Sequence, residues 1–387
     1  MNLFGLLVNS IASQAGPAID VPRRGLYSCA SLMDNFGARM LRTFVFVSCL
    51  LSLSVVADVG NAGGARPDLS GTYDTGTLTP LNRPEAFGNN QFMTQEEADA
   101  VVARTQAVFD FANRDSSPDR GAPKKGGDGN NTAGAGGVGG YNAFWIDPGN
   151  TAFEIDGRFR TSIIYAPENG RQPARTPSAL AKMAAAYQSF AHDNDGTASW
   201  LAFEGPGPFD GPESLAPSER CLISFGSTVP TLPSLYNNYK RIIQTEDYVM
   251  ILQEMVHDAR IIRINSEHGD PRNRKWMGDS VGHWEGDTLV VHTKHFKASS
   301  SLAGADENLE VVERYRRAED GNLIYDFTVT DPTAWTEPWS GEYVWRASAD
   351  KVYEYACHEG NYAMGNILRG ARLLESEWQA PAAGGQE

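Results

Sequence analysis

The 387-residue chain lacks most of the short motifs that identify a chemistry. It has no HExxH, no CxxC and no Cys/His spacing typical of structural zinc, and its glycine-rich stretch, residues 115–140, lacks the Gly-Lys-Ser/Thr ending of a phosphate-binding loop. Basic residues are scarce, 33 against 48 acidic ones, which argues against nucleic acid as a partner. These absences predict a protein without a cofactor and without a metal site of a common type.

The N-terminal part has the pattern of an export leader. Residues 44–57 form an apolar run of fourteen that follows basic residues and ends at the small residue Ala57. A spanning helix needs about 20 apolar residues, so we expect cleavage rather than a membrane anchor, and no integral membrane segment in the mature chain. Met40 is the predicted true start, residues 1–62 are excluded from the fold, and the mature protein is predicted to be periplasmic or secreted.

Export changes how the cysteines are interpreted. Removal of the leader takes away Cys29 and Cys49 and leaves Cys221 and Cys357. An even pair in an oxidising compartment predicts a disulfide. The alternative is a pair of buried free thiols.

The mature part, residues 63–387, is predicted to be a single β-rich domain. Its first part, 63–200, is helical and glycine-rich. Thr94 and Glu97 form a capping box that predicts a helix, and Thr176 followed by proline predicts the start of another.

From Tyr239 onward, with the barrel part spanning 201–370, the pattern is almost wholly β. Alternating apolar residues and tight turns predict an antiparallel β-barrel or bent sandwich of the lipocalin or calycin type, with one or two peripheral helices and a concave pocket at one end. The predicted strands are KRIIQT, YVMILQE, HDARIIRI, SVGHW, TLVVHTKHF, LEVVERYRR, LIYDFTVT, GEYVWRAS and VYEYACHE.

Several stretches, in order between Tyr141 and Glu359, resemble a widespread family of exported bacterial proteins with an SVGxWEGDTLVV motif. They are VGGYNAFWIDPG, FRTSIIYAPENGRQP, ERCLISFG, RIIQTEDYVMIL, WMGDSVGHWEGDTLVV and the DP...PW pair ending at Trp339. The resemblance implies export, and it implies no particular activity because the family has no established common one. The chain departs from the family at His292, where relatives show Asp, and at Asp306, where they show His. No site residue is therefore transferred from the family.

Gly278, Ser280 and Gly282 spell the G-x-S-x-G of a nucleophile elbow. That motif needs a helix after the serine, whereas a hairpin sequence follows here. Ser280 is predicted to be a strand residue.

The histidines are the better candidates for chemistry. If Gly286 and Asp287 form a two-residue turn, His283 and His292 lie on one face as diagonal neighbours, about 7 to 8 Å apart at the backbone. His295 then falls on the other face. A three-residue turn would separate His283 from His292, so the hypothesis depends on this register.

A proton-transfer site could be built from these histidines, from tyrosine acids and from an arginine that holds an anionic group. The predicted catalytic residues are His257, His283, His292, Tyr315 and Tyr353. The predicted substrate-binding residues are Arg260, Trp284, Trp339 and Trp345. The alternative is that the histidines are structural and the aromatic residues are core, while metal binding by His283, His292 and an acid stays open.

The sequence thus favours a cofactor-independent lyase or hydrolase that acts on a small organic or carbohydrate-derived substrate. The loop Lys297–Asn308 could be its lid or an idle surface loop. The first alternative function is a lipocalin-like periplasmic binding protein for a small hydrophobic or aromatic ligand. The second is a structural component of the envelope, which would have no concave pocket.

Overall fold

The computed structural model describes residues 66–112, 119, 146–188, 196–298, 302, 304, 305 and 307–380. The predicted leader and nearly all of the glycine-rich loop lie outside these residues. In chain order the strands are β1 (Gly71–Asp74), β2 (Phe92–Met93), β3 (Glu154–Ile155), β4 (Arg158–Arg160), β5 (Ile164–Ala166), β6 (Tyr239–Gln244), β7 (Tyr248–Gln253), β8 (Ala259–Ile264), β9 (Asp279–Glu285), β10 (Thr288–Lys294), β11 (Glu310–Arg317), β12 (Leu323–Thr330) and β13 (Trp339–Ser348).

Nine of these strands close into a β-barrel, as the sequence predicts. The order is β1-β6-β7-β8-β9-β10-β11-β12-β13, and β13 pairs back onto β1. The long β13 also pairs with β5, while β2, β4 and β3 form a separate small sheet. All neighbouring barrel strands are antiparallel except β8 and β9, which run parallel with Ile262 opposite Ser280. This parallel pair makes the barrel mixed rather than purely antiparallel.

Three α-helices lie outside the barrel wall in the described part of the chain: α1 (Gln95–Ala112), α2 (Pro177–Gln188) and α3 (Tyr362–Gln379). The first two begin where the sequence predicts. The Glu97 amide donates to Thr94 Oγ1 and the Thr94 amide to the Glu97 carboxylate, and the Ala179 amide donates to Thr176 Oγ1. Among the described residues, no helix combines the length and apolar composition that crossing a bilayer requires.

The C-terminal end of the chain corrects the prediction of an almost wholly β pattern. The segment VYEYACHE, residues 352–359, forms no strand. The second edge of β13 is instead taken by β5 and β1, so no pairing edge is left there for another hairpin strand. The chain then continues into α3, which the sequence analysis did not predict.

Alternation along the strands directs large aromatic side chains into the barrel. Tyr315, Tyr325, Tyr343 and Trp345 are all at most 1% exposed. Their rings pack against one another, with the Tyr325 and Trp345 centroids 4.9 Å apart. These side chains fill the barrel interior beside β11, β12 and β13.

Cys221 and Cys357 form a disulfide, as predicted. The bridge closes a sequence separation of 136 residues and joins the segment before β6 to the segment after β13. A loop of this size corresponds to about 4 to 5 kcal/mol of stabilisation in the chain-entropy model.

Candidate functional site

The β9–β10 hairpin has the register on which the histidine hypothesis depends. Glu285 lies opposite Thr288, so Gly286 and Asp287 form a two-residue turn. His283 lies opposite Val290, and His292 is two residues further along the same face. Since Leu289, Val291 and Thr293 are buried inside, both histidines point outward from the barrel wall.

The parallel β8–β9 pair forces the chain to return along the barrel before β9 can begin. Parallel neighbours need a crossover connection, and residues 265–278 provide it. The Lys275 amide donates to the His295 carbonyl and the Lys297 amide to the Lys275 carbonyl, which ties the crossover to the end of β10. The crossover thereby brings His268 against the outer face of β9 and β10.

Five polar side chains meet where the crossover, β9, β10 and β11 come together, and we call them the rim cluster. His268 Nδ1 lies 3.2 Å from Asp279 Oδ2, and His268 Nε2 lies 3.2 Å from His292 Nδ1. His292 Nε2 lies 3.3 Å from Glu310 Oε2. The His268 and His295 ring centroids are 5.6 Å apart. The first four residues form a continuous chain from buried Asp279 to the exposed Glu310.

Asp279 anchors this chain at its buried end. Arg263 binds both carboxylate oxygens at 2.9 Å, and Lys275 Nζ and the Gly269 amide also donate to the carboxylate. The Arg263 hydrogen bonds and then Lys275 hold the pKa of Asp279 well below its usual range, against the opposing effect of burial. Asp279 is therefore a carboxylate, and it can only accept from His268.

Gly278 fixes how the chain enters this carboxylate position. Its φ is +70°, and a Cβ there would lie 2.7 Å from Thr293 Cγ2 and 2.9 Å from the Lys294 carbonyl oxygen. Only glycine fits both the left-handed backbone and the close approach to β10.

His295 corrects one prediction, because its ring joins the rim cluster instead of lying on the opposite face. Strand β10 ends at Lys294, and His295 has a positive φ of 61°, so the alternation of side chains stops there. Its Nδ1 is buried and has no hydrogen-bond partner in the part of the chain that the structure describes. Desolvation lowers the pKa of both His268 and His295.

Of the other predicted catalytic histidines, His283 does not meet the rim cluster. His283 is 55% exposed and pairs with Glu285 on its own strand. His257 ends the 3-10 turn Met255–His257 between β7 and β8, and its side chain lies outside the described part of the structure. Among the predicted catalytic histidines whose side chains the structure describes, only His292 lies in the cluster.

Arg260 and Tyr315 lie inside the barrel in a different network. The guanidinium of Arg260 donates to both oxygens of the fully buried Glu313, and also to Ser280 Oγ and Thr293 Oγ1. Tyr315 and Tyr325 donate their hydroxyls to Glu313 Oε1 at 2.9 and 2.7 Å. Burial and the adjacent Glu313 raise the pKa of Tyr315 well above its usual value. We assign this network to the stability of the barrel.

The predicted substrate-binding tryptophans lie in or against the core. Trp339 and Trp345 are at most 1% exposed, and the half-buried Trp284 packs against the same core from β9. Tyr353 is 72% exposed and follows β13, outside the barrel wall. None of these four side chains belongs to the rim cluster.

Ser280 is a strand residue, as the sequence predicts. It is 2% exposed on β9, its hydroxyl pairs with Arg260 and Thr293, and a hairpin rather than a helix follows it. Of the possible lid, Lys297–Asn308, residues 299–301, 303 and 306 lie outside the described residues. Leu302 is buried against the core, and Arg274 donates to the Glu307 carbonyl at 2.9 Å.

A separate cleft of about 500 Å³ lies beside the disulfide. It is bounded by residues 354–357 and the start of α3, and Glu219, Glu354 and Met364 are among its lining residues. Apart from the two cysteines, it contains none of the predicted site residues.

Sequence reasoning missed Asp279, Glu310 and His268 as members of one site. Asp279 and Glu310 are the first residues of their strands, and acidic residues at such positions are typical of turns in a sequence. His268 lies in a connection that has no hydrophobic periodicity. The available signal was the long gap between the β8 and β9 strand patterns, which exceeds a hairpin loop and implies a crossover. His268, Asp279 and His295 each present a ligand-type atom within 4.8 Å of the others.

Comparison with protein-family models, with curated proteins and with solved structures finds no match to this chain. The resemblance to exported bacterial proteins therefore stays a prediction.

Proposed function

We propose that the protein is an enzyme, a hydrolase or lyase for a small organic or carbohydrate-derived substrate, with the rim cluster as its active centre. One observation carries the proposal: His268 Nε2 and His292 Nδ1 lie 3.2 Å apart, and a carboxylate holds the other nitrogen of each ring. Orienting an imidazole through its second nitrogen is the arrangement that histidine catalysis requires.

Accessibility supports the same assignment. The side chain of His292 is 35% exposed and that of Glu310 is 54% exposed, whereas Asp279 is 4% exposed. The cluster is thus open to a substrate on one side and fixed by buried contacts on the other. A water molecule or an acidic group of a substrate at the open side would meet the His292 ring in a fixed orientation.

The packed interior is the reason to propose an enzyme over a lipocalin-like carrier. A carrier holds its ligand within the barrel. Here Tyr325, Tyr343 and Trp345 are not exposed and pack together on the neighbouring strands β12 and β13. The Arg260 guanidinium of β8 also reaches Glu313 of β11 inside the barrel. The rim cluster lies on the outer face of the wall and does not need an internal cavity.

We also propose that the protein acts in the periplasm or outside the cell. Disulfides persist mainly in oxidising compartments, so the Cys221–Cys357 bridge supports the export that the leader predicts. Sequencing the N-terminus of protein recovered from the periplasm or medium tests this, and cytoplasmic protein with an uncleaved leader would contradict it.

The test of activity uses purified mature protein and a panel of chromogenic esters, lactones and glycosides, with elimination followed by ultraviolet absorption. For any substrate turned over, we expect His292→Ala to lower kcat/KM by about 10² to 10⁴-fold, the usual contribution of a positioned histidine. His283→Ala is the matched control, because this histidine lies on the same strand pair and face but outside the cluster. Equal losses in both variants, or none in His292→Ala, would contradict the proposal.

A further inference from the structure

We propose that the rim cluster binds a single zinc ion between His268 Nε2 and His292 Nδ1, with His295 as a third nitrogen ligand. The inference deepens the proposed function and rests on it for its chemical meaning, because it names the group that would activate water at the same site. It also departs from the prediction of a protein without a metal.

The first argument comes from counting protons. A carboxylate only accepts, so His268 must donate through Nδ1 to Asp279, and His292 must donate through Nε2 to Glu310. A neutral imidazole has one N–H, and each ring has already used it. The two remaining nitrogens, 3.2 Å apart, therefore face each other with lone pairs. Two lone pairs at this distance require a positive partner between them, which is either a proton that makes one ring an imidazolium or a metal ion.

The second argument is geometric. Zinc binds imidazole nitrogen at about 2.0 to 2.1 Å with tetrahedral angles, which places two nitrogen ligands roughly 3.3 Å apart. The separation of His268 Nε2 and His292 Nδ1 is 3.2 Å. A zinc ion therefore fits between the rings with little side-chain movement.

The third argument is the support behind each ring. Metal-binding histidines usually donate their second ring N–H to a carboxylate, which fixes the tautomer and the orientation of the ring. Asp279 takes this position behind His268 and Glu310 behind His292. Because Arg263 and Lys275 already occupy both oxygens of Asp279, that carboxylate supports a ligand rather than serving as one.

The fourth argument is the buried Nδ1 of His295. This atom has no hydrogen-bond partner among the described residues, and leaving a buried polar atom unpaired is unfavourable. Its ring lies beside His268, and a ligand-type atom of His295 comes within 4.8 Å of those of His268 and Asp279, a group that does not include His292. A turn of the His295 ring toward His292 would bring all three histidines to the same ion and satisfy this atom. Three histidines and one open position are the ligand set of a catalytic zinc, which supplies a water of lowered pKa.

The experiment is a calorimetric titration of Zn²⁺ into chelator-treated mature protein, with Mg²⁺ as a second probe. We expect one equivalent of Zn²⁺ to bind and Mg²⁺ not to bind, because imidazole ligands suit zinc and oxygen ligands suit magnesium. His268→Ala and His292→Ala should each weaken Zn²⁺ binding by at least about 100-fold. Glu310→Gln should weaken it by about 10 to 100-fold, as expected for a group behind a ligand. His283→Ala should leave it unchanged.

Thermal unfolding provides a readout that does not depend on activity. Zinc should raise the Tm of the wild type and of His283→Ala, and should not raise the Tm of His292→Ala, whose exposed position allows it to fold. Failure of the folded wild type to bind Zn²⁺, or binding that survives both His268→Ala and His292→Ala, would overturn the inference. Full turnover by zinc-free protein would contradict the zinc site and leave the enzyme proposal intact. Tight zinc binding without any turnover would support the zinc site and contradict the enzyme proposal.

Discussion

The barrel contains two polar networks of similar chemistry and opposite character. Inside, Arg260 and Glu313 are at most 3% exposed, and every oxygen of Glu313 accepts from Arg260 or a tyrosine. On the outer face, the rim cluster grades from a buried aspartate to an exposed glutamate, and it leaves His295 Nδ1 without a partner in the described chain.

The difference teaches where to look for function. A fully satisfied buried network has no capacity left for a ligand, and its groups are held by one another. A network that is incomplete, partly exposed and rigidly anchored can accept one more atom. Tyr315 and Arg260, which the sequence predicts as a catalytic and a substrate-binding residue, belong to the first kind, and His268 and His292 belong to the second.

The largest effect should come from breaking the interior network. Glu313→Ala leaves the Arg260 guanidinium buried without its counter-ion, which should lower the free energy of unfolding by about 3 to 5 kcal/mol. Chemical denaturation followed by circular dichroism measures this. The double variant Arg260→Met with Glu313→Leu should recover most of the loss, because it removes both charges together. A double variant less stable than Glu313→Ala would show that the network does more than neutralise charge.

A second interior charge should make stability depend on pH. Lys240 is 1% exposed beside Gln253, and burial lowers its pKa to about 8, although Glu254, Asp258 and Asp74 oppose the shift. Because the unfolded chain keeps this proton up to about pH 10.4, the free energy of unfolding should rise as the pH increases above 8, by up to ~3 kcal/mol in total.

Tyrosine ionisation opposes this rise above about pH 10, so the window for measurement is pH 8 to 9.5. Denaturant unfolding curves at several pH values in this window should show the increase in the wild type. The increase should be absent in Lys240→Met and preserved in Lys351→Met, which changes an exposed lysine. A rise of equal size in Lys240→Met would assign the effect to another group.

The smallest effect should come from the outer network, which sharpens the contrast with Glu313. His292→Ala removes a side chain that is 35% exposed, so we expect a loss of less than ~1 kcal/mol of stability in the absence of metal. His283→Ala should fall within about 0.5 kcal/mol of the wild type. A loss near that of Glu313→Ala would mean that the rim cluster holds the barrel together and is not free to serve a ligand.

Much of the barrel could be predicted from the sequence because its wall is made of local hairpins. The β6–β7, β9–β10 and β11–β12 pairs join across short turns, and their alternating patterns determine which side chains point inward. The pairing of β13 with β1 and β5 could not be predicted, since it joins segments far apart in the chain whose patterns fit several partners.

The site was predictable only in part for the same reason. The register that places His292 on the outer face follows from the turn at Gly286. The approach of His268 depends on the path of a connection without regular structure. The turn of His295 depends on a positive φ, which is uncommon in residues other than glycine. Neither has a signature in hydrophobic pattern.

The single parallel strand pair also separates the residues of the rim cluster from the residues that pack the barrel interior. Every member of the rim cluster lies between β8 and the first residue of β11, and the histidines come from the crossover and from the outward side of one hairpin. Insertions, deletions or substitutions in the mostly exposed residues 265–274 would alter the chemistry on the outside without disturbing the aromatic packing inside. The barrel wall and the chemistry on its outer face therefore depend on different parts of the chain.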